Sequence, residues 1–169
     1  AELLLVPAEA REVLSPTPQG GQDLLAPARV LYGQGLYLDA ARALEAIDED
    51  DRGEEGALLL ARSCANMGRL EEASRWCESV KAENALNKAA YMLLAMIRLE
   101  QARGEEAMEN LRKALYIDQD FVIAHFMLGK LLREADGGHE QAMRHFDAAL
   151  RLLESEKDDA MLPESDGVM

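Results

Sequence analysis

Several side chains in this sequence have the chemistry of ligands or catalysts. Two glycines, Gly33 and Gly35, hint at a loop that cradles the phosphates of a dinucleotide, but no strand precedes them and the third glycine is missing. Two cysteines, Cys64 and Cys77, are too few for a zinc site or a disulfide framework. Because Cys77 has no nucleophile signature around it, we predict that both thiols are reduced and lie in the core.

Histidines and paired acids offer the other routes to chemistry. His139 and His145 lie six residues apart on one predicted helix, which places them on different faces, and His125 fits a core position. The acidic pairs Glu71–Glu72 and Glu105–Glu106 begin predicted helices, where carboxylates favour the positive end of the helix dipole. That role is expected here rather than acid–base catalysis. We therefore predict no catalytic residue, no cofactor-binding residue and no metal site.

The composition is that of a folded and strongly acidic domain. The 169 residues are 49% hydrophobic, which suffices for a core, and their net charge is −14. Such acidity does not favour nucleic acid, whose phosphates need basic partners. No apolar run approaches the roughly 20 residues that span a membrane. We expect a cytoplasmic protein that binds no nucleic acid and does not insert into membranes.

One pattern of small and large residues occurs four times, at intervals of 33, 34 and 35 residues. The small residues are Ala40, Ala73, Ala107 and Ala142, and each is followed four positions later by a larger side chain: Leu44, Cys77, Leu111 and Phe146. Upstream, Ala61, Ala95 and Gly129 occupy a second small position. Because two antiparallel helices approach closely only at small residues, the pattern predicts helical hairpins that stack to complete one another's core.

The pattern predicts two helices in each unit. We expect them near 22–33, 36–48, 54–67, 70–82, 87–102, 104–117, 121–135 and 138–154. Pro27 either interrupts the first helix or lies in its first turn, which would move the helix start to about Ala26. The turns inside the first three hairpins are predicted at Gly35, Gly68 and, shifted in position, Gly104.

These units resemble the tetratricopeptide repeat (TPR), whose signature combines Trp-x2-Leu-Gly-x2-Tyr with Ala-x3-Phe-x2-Ala. Tyr91 takes the Trp position, from which His125 and Ala57 depart. The resemblance implies an all-α, right-handed α-solenoid of about four repeats, near 22–53, 54–87, 88–121 and 122–154. It also implies that the chain is not itself an enzyme and that its partner is a protein or peptide.

The TPR resemblance places a ligand groove along the first helices of the repeats. We predict that this groove contains an apolar floor, a ladder of cations and one amide, formed by Arg29, Arg62, Asn66, Met92, Met96, Phe126, Lys130 and Arg133. Such a groove suits an extended or helical segment with apolar and acidic side chains. The alternative is that Met92 and Phe126 pack between helices while the cations are solvated. Of the residues of the chaperone-tail carboxylate clamp, Asn66 alone is present.

The ends of the chain do not fit the repeat. We predict a short helix and a linker in residues 1–21 and an acidic, flexible tail in residues 155–169. The start at Ala1 lacks an initiator Met and a basic leader, so we expect a boundary inside a longer protein. Because no capping helix is predicted, helix 138–154 exposes an apolar flank; this end either frays or docks on a partner, a second copy or the rest of the protein. A separate hypothesis is that Leu3–Val6 occupies the groove of its own chain or of a neighbour.

Residues 114–168 carry a narrower resemblance. They resemble the C-terminal TPR tails of bacterial chemotaxis receptor methyltransferases of the CheR type, among which a Frz-type enzyme is one candidate parent, and Gln119 replaces the usual proline. The matching residues are Phe121, Ala124, His125, Phe126, Leu128, Gly129, Arg144, His145, Phe146, Pro163, Glu164, Ser165 and Gly167.

This second resemblance implies a parent enzyme that methylates chemoreceptor glutamates with S-adenosylmethionine. Its catalytic domain would lie upstream and would hold that cofactor, so none is expected in this chain. The module would regulate or target the enzyme through its methyltransferase domain, the chemoreceptors or other signalling proteins. The alternative is a generic TPR assembly scaffold, of the pilus or secretion type, with no attached enzyme.

Overall fold

The computed structural model describes residues 23–135 and 137–160, and in this part of the chain it contains eight α-helices and no strand. The helices are α1 (Ala26–Gly33), α2 (Tyr37–Glu45), α3 (Glu49–Asn66), α4 (Leu70–Glu83), α5 (Lys88–Glu100), α6 (Gly104–Ile117), α7 (Val122–Glu134) and α8 (His139–Ala160). Each odd-numbered helix packs on the even-numbered helix that follows it, and the four resulting hairpins stack in chain order. The odd-numbered helices α3 and α5 also touch, so the first helices of the second and third hairpins lie side by side.

The helix bounds agree with the predicted ones to within two residues except at four places, the first of which is the end of α2, at Glu45 instead of 48. Helix α1 begins at Ala26 with Pro27 in its first turn. Backbone N–H groups in the first turn have no acceptor within the helix, so a proline there costs no hydrogen bond. Helix α3 is interrupted at Gly53, whose φ of 55° and ψ of −171° favour glycine, so the helix proper begins at 54 as predicted. Helix α8 continues to Ala160, beyond the predicted end at 154. No helix in the described ranges is long and apolar enough to cross a bilayer.

The N-terminal segment 1–22 and residues 161–169 lie outside the described part of the chain. The predicted linker, the hypothesis about Leu3–Val6 and most of the predicted tail therefore remain predictions.

Small residues recur where the two helices of each hairpin touch. Ala28, Ala61 and Ala95 are fully buried on the first helices, and Gly129 takes the equivalent position on α7. A Cβ atom on Gly129 would lie 2.9 Å from Cε1 of Phe146, so the larger ring in this repeat is accommodated by the smallest residue. The hairpin contact therefore explains the spacing of the repeated residues.

The turns inside the hairpins each contain a residue in the left-handed region. Gly35, Gly68 and Gly137 have φ values of 76°, 75° and 77°, and Ala102 has 57°. The prediction that Gly104 forms the turn of the third repeat is wrong, because Gly104 is the first residue of α6. The turn of the third repeat has Ala102 in the left-handed conformation instead, where alanine costs roughly 1–2 kcal/mol more than glycine.

The two cysteines are free thiols buried in the core cluster formed by α1 to α5. Burial raises the pKa of Cys64 to about 11 and that of Cys77 to about 12, and the carboxylates of Glu72 and Glu78, respectively, add to the effect. The prediction of core thiols is confirmed. Neither thiol has the lowered pKa of a nucleophilic cysteine.

Candidate peptide-binding groove

A solvent-open depression lies where α1, α3 and α5 meet. Its volume is about 580 Å³, and it is lined by Tyr32, Arg62, Ala65, Asn66, Gly68, Leu70, Leu93, Met96, Ile97 and Glu100. We call it the α1–α3–α5 groove. Three of the predicted groove residues meet here: Arg62, Asn66 and Met96.

The polar side of the groove is held in place by hydrogen bonds. The Asn66 side-chain amide donates to the Tyr32 hydroxyl at 3.0 Å and to the Arg62 carbonyl at 2.9 Å. The Arg62 side chain is exposed and forms no ion pair with any residue of the described ranges. Its guanidinium is therefore available to a ligand carboxylate, with which it can form two parallel hydrogen bonds.

Arg29 lies in an adjoining depression that shares Tyr32 and Arg62 with the groove. Its guanidinium binds Glu55, with Nη2 2.6 Å from Oε1, and also binds Asp23. Hydrogen bonds to Glu55 and then to Asp23 raise the pKa of Arg29 above its usual value. These two carboxylates compensate its charge, so Arg29 and Arg62 do not form the predicted ladder of ligand-binding cations.

The two methionines of α5 have different environments. Met96 is about half exposed on the floor of the groove, beside the buried Leu93 and Ile97. Met92 is only 8% exposed and belongs to the core cluster that contains Met108. The assignment of Met92 to the groove is therefore corrected, because its side chain fills the space between hairpins and is not available to a ligand.

The other predicted residues, Phe126, Lys130 and Arg133, follow one another along an exposed stripe of α7. The Phe126 ring centroid lies 6.0 Å from that of Phe146, and the Arg133 guanidinium lies 5.8 Å from the Phe146 ring. These three residues do not line the α1–α3–α5 groove. They form a separate aromatic and cationic surface on the last hairpin.

Seven of the ten groove residues are missing from the sequence-based set, and two of these, Tyr32 and Glu100, are polar and could have been identified from the repeat spacing. Tyr32 lies three residues after Arg29 on the same helix, and Glu100 lies 34 residues, one repeat, after Asn66, so the predicted residues indicate that both should face the groove. Tyr32 supplies a hydroxyl beside Asn66, and Glu100 places a carboxylate in the lining. The groove therefore carries both signs of charge, from Arg62 and Glu100, around an apolar floor.

A histidine pair on the last hairpin forms a second polar cluster. The Nδ1 atoms of His125 and His145 are 2.9 Å apart, and Nε2 of His125 is 2.8 Å from the Gln119 carbonyl. If Nε2–H donates to that carbonyl, Nδ1 of neutral His125 accepts from His145. Burial, His125 and Arg112 lower the pKa of His145. No group of three potential metal ligands occurs among the described residues.

Comparison with known sequences identifies the repeats. Two families described as tetratricopeptide repeats match the chain, one over residues 31–97 and the other over residues 88–121. No curated protein matches the chain in sequence.

Solved structures share the same architecture. A crystal structure of MamA has a TM-score of 0.70 and 21% identity, and the match covers 80% of this chain and 79% of MamA. MamA from Desulfovibrio magneticus RS-1 has a TM-score of 0.66 and 20% identity, covering 78% of this chain and 75% of that one. The first TPR of Spaghetti (RPAP3), bound to the HSP90 peptide SRMEEVD, has a TM-score of 0.60 and 20% identity, covering 66% and 89%. The predicted fold, an all-α TPR solenoid, is confirmed.

Proposed function

Because this chain is a stack of tetratricopeptide repeats, it is a protein-interaction module, and we propose that the α1–α3–α5 groove binds an extended peptide segment. The observation that carries the proposal is the exposed Arg62 guanidinium beside the half-exposed Met96 on the floor of an open groove. A ligand would place an acidic side chain against Arg62 and an apolar one against Met96. The paired Asn66 amide and Tyr32 hydroxyl add polar contacts for the peptide backbone.

The charge distribution selects among acidic ligands. Glu100 in the groove would repel a run of carboxylates, and Arg29 beside the groove is already paired with Glu55 and Asp23, so a single acid next to an apolar residue would pair with Arg62. The Spaghetti (RPAP3) structure supports peptide binding as a use of this fold, since it holds the HSP90 peptide SRMEEVD. This chain is expected to bind that peptide weakly, because only one of its adjacent acids can pair with Arg62 and the other would lie near Glu100.

The test begins with selection of ligands from random 12-residue peptides displayed on phage. Affinities of the selected peptides are then measured by fluorescence anisotropy for the wild-type chain and for Arg62→Glu. Loss of the ion pair and the new repulsion should weaken binding at least tenfold, which is about 1.4 kcal/mol. The matched control is Arg75→Glu, which reverses the charge of an exposed arginine on α4 and should leave affinity unchanged.

Equal affinities of wild-type and Arg62→Glu chains, both folded by circular dichroism, would refute the groove. So would a selected set of peptides with no preference for acidic and apolar residues.

The narrower function, regulation or targeting of a CheR-type receptor methyltransferase, is also a proposal, supported by the sequence resemblance over residues 114–168. Under this proposal the parent enzyme is cytoplasmic and binds S-adenosylmethionine only in its catalytic domain. The partners of the present chain are that domain or chemoreceptors. A bacterial pull-down with the chain as bait tests it. Retention of receptors or methyltransferase supports this proposal, and retention of pilus or secretion components alone supports the generic scaffold.

A further inference from the structure

The α1–α3–α5 groove contains a carboxylate that no side chain of the described ranges neutralises. Glu100 lines the groove, is exposed, and forms no ion pair and no side-chain hydrogen bond within residues 23–135 and 137–160. The two arginines nearest to it in sequence, Arg98 and Arg103, both bind Glu106, with Nε and Nη2 lying 3.2 Å and 2.6 Å, respectively, from its carboxylate oxygens. Glu100 is therefore available to a cation of a ligand, just as Arg62 is available to a carboxylate.

Three helices end at the same part of the groove and add negative potential there. Asn66 is the last residue of α3, Glu100 is the last residue of α5, and Tyr32 lies next to the last residue of α1. All three line the groove. Because the helix dipole gives the C-terminus of a helix a partial negative charge, the backbone favours a cation at this position in addition to the Glu100 carboxylate.

The repeat geometry sets the separation of the two charged positions. Arg62 and Met96 are 34 residues apart, so they lie at the same level on the neighbouring helices α3 and α5, and Glu100 lies one turn beyond Met96. Packed helices are about 8–10 Å apart, and four residues advance about 6 Å along a helix axis. The diagonal from the Arg62 position to the Glu100 position is therefore about 10–12 Å, which three or four residues of an extended peptide span at about 3.3 Å each.

We propose that the groove selects a peptide in which a basic residue lies three or four positions from the acidic one, with the acid on Arg62 and the base on Glu100. This inference rests on the proposed function, since it assigns a second charged contact to the same bound segment. Charge complementarity identifies the ligand class: one acid, one base and an apolar residue between them match Arg62, Glu100 and the half-exposed Met96. A second acid in place of the base would be repelled by Glu100, so this residue determines specificity.

The test uses the 12-residue peptides selected on the wild-type 169-residue chain, with affinities measured by fluorescence anisotropy. Glu100→Lys reverses the charge at the end of α5. Its matched control, Glu83→Lys, reverses the charge of an exposed glutamate at the end of α4, outside the groove. Lysine is favourable at a helix C-terminus, so both variants should fold, which circular dichroism verifies.

Each selected peptide is also synthesised in a charge-reversed form, in which glutamate replaces its basic residue. Glu100→Lys should weaken binding of the selected peptides at least tenfold, because repulsion replaces the ion pair, whereas Glu83→Lys should leave it unchanged. The charge-reversed peptides should bind wild type at least tenfold more weakly than their parents, and Glu100→Lys should recover most of that loss.

Three results would overturn this inference. They are selected peptides that lack a basic residue three or four positions from the acid, unchanged affinity of Glu100→Lys for the selected peptides, and charge-reversed peptides that bind Glu100→Lys no better than wild type. If Arg62→Glu still weakens binding in any of these cases, the groove binds peptides but Glu100 does not choose them. If neither Arg62→Glu nor Glu100→Lys weakens binding, the proposed function fails together with this inference.

Discussion

Replacing Gly129 with alanine tests whether the contact within each hairpin sets the size of its small residue. In an unhindered helix interior, glycine to alanine gains about 1 kcal/mol of helix propensity. At Gly129 the new Cβ would lie 2.9 Å from Cε1 of Phe146 and 3.2 Å from the Ala142 carbonyl oxygen. The ring would have to move, and overpacking of this kind typically costs about 1–3 kcal/mol.

We expect Gly129→Ala to lower the free energy of unfolding by about 1 kcal/mol, because a steric cost of about 2 kcal/mol exceeds the gain in propensity. Gly104→Ala is the matched control, since Gly104 is also helical but a Cβ there would meet no atom within 4 Å. That variant should be as stable as wild type or slightly more stable. A Gly129→Ala chain as stable as the control would refute the steric explanation.

The third repeat suggests a second substitution that should restore the stability lost in Gly129→Ala. At the equivalent positions it carries Ala95 and Leu111, both fully buried in one core cluster. The double variant Gly129→Ala with Phe146→Leu recreates this pair, so it should be more stable than the sum of the single variants by about 0.5–3 kcal/mol. Additive effects of the two substitutions would contradict the proposed contact.

Urea unfolding followed by circular dichroism measures these free energies. Since repeats can unfold separately, hydrogen exchange along α8 should show the change locally, with protection lost on the last hairpin first.

Two further predictions concern the turns and the thiols. Ala102→Gly should raise the free energy of unfolding by about 1 kcal/mol, because it removes the cost of a left-handed alanine, and Gly68→Ala should lower it similarly; thermal melts measure both. Cys64 and Cys77 should react with a disulfide reagent at pH 8 only as fast as the chain opens. Because the folded pKa values of both thiols exceed 9.0, the ordinary value for a cysteine, their contribution to the free energy of unfolding is fully present below that pH. Above pH 9.0 the free energy of unfolding should fall by about 1.4 kcal/mol per pH unit for each thiol, until the pH reaches the folded pKa of that thiol. Urea titrations with and without Cys77→Ala measure this slope.

The repeat architecture was predictable because packing restricts residue size at fixed spacing. Ala61, Ala95 and Gly129 must be small wherever two helices touch, and this constraint recurs in every unit, so it is visible without a structure. Pro27 likewise fits only one helix position at low cost, the first turn, and the structure places it there.

The properties of the groove depended on contacts between residues far apart in sequence. Arg29 is neutralised by Glu55, 26 residues away, and nothing in their spacing identifies the pair. Met92 and Met96 lie one turn apart on the same helix, yet one is buried and the other lines the groove. The His125–His145 contact, across 20 residues, was missed for the same reason.

The groove positions differ among repeats because stacking does not restrict them. Arg62 and Met96 occupy the same position in successive repeats, and both are exposed, so either side chain is compatible with the fold. Exchanging them, as Arg62→Met with Met96→Arg, should therefore change stability by less than about 0.5 kcal/mol per site. Peptides selected on wild type should bind at least tenfold more weakly, because the positions of the cation and the apolar surface are reversed. Peptides with the acidic and apolar residues interchanged should bind the exchanged variant better than wild type. If the exchanged variant retains wild-type affinity for the original peptides, these two residues do not determine ligand choice.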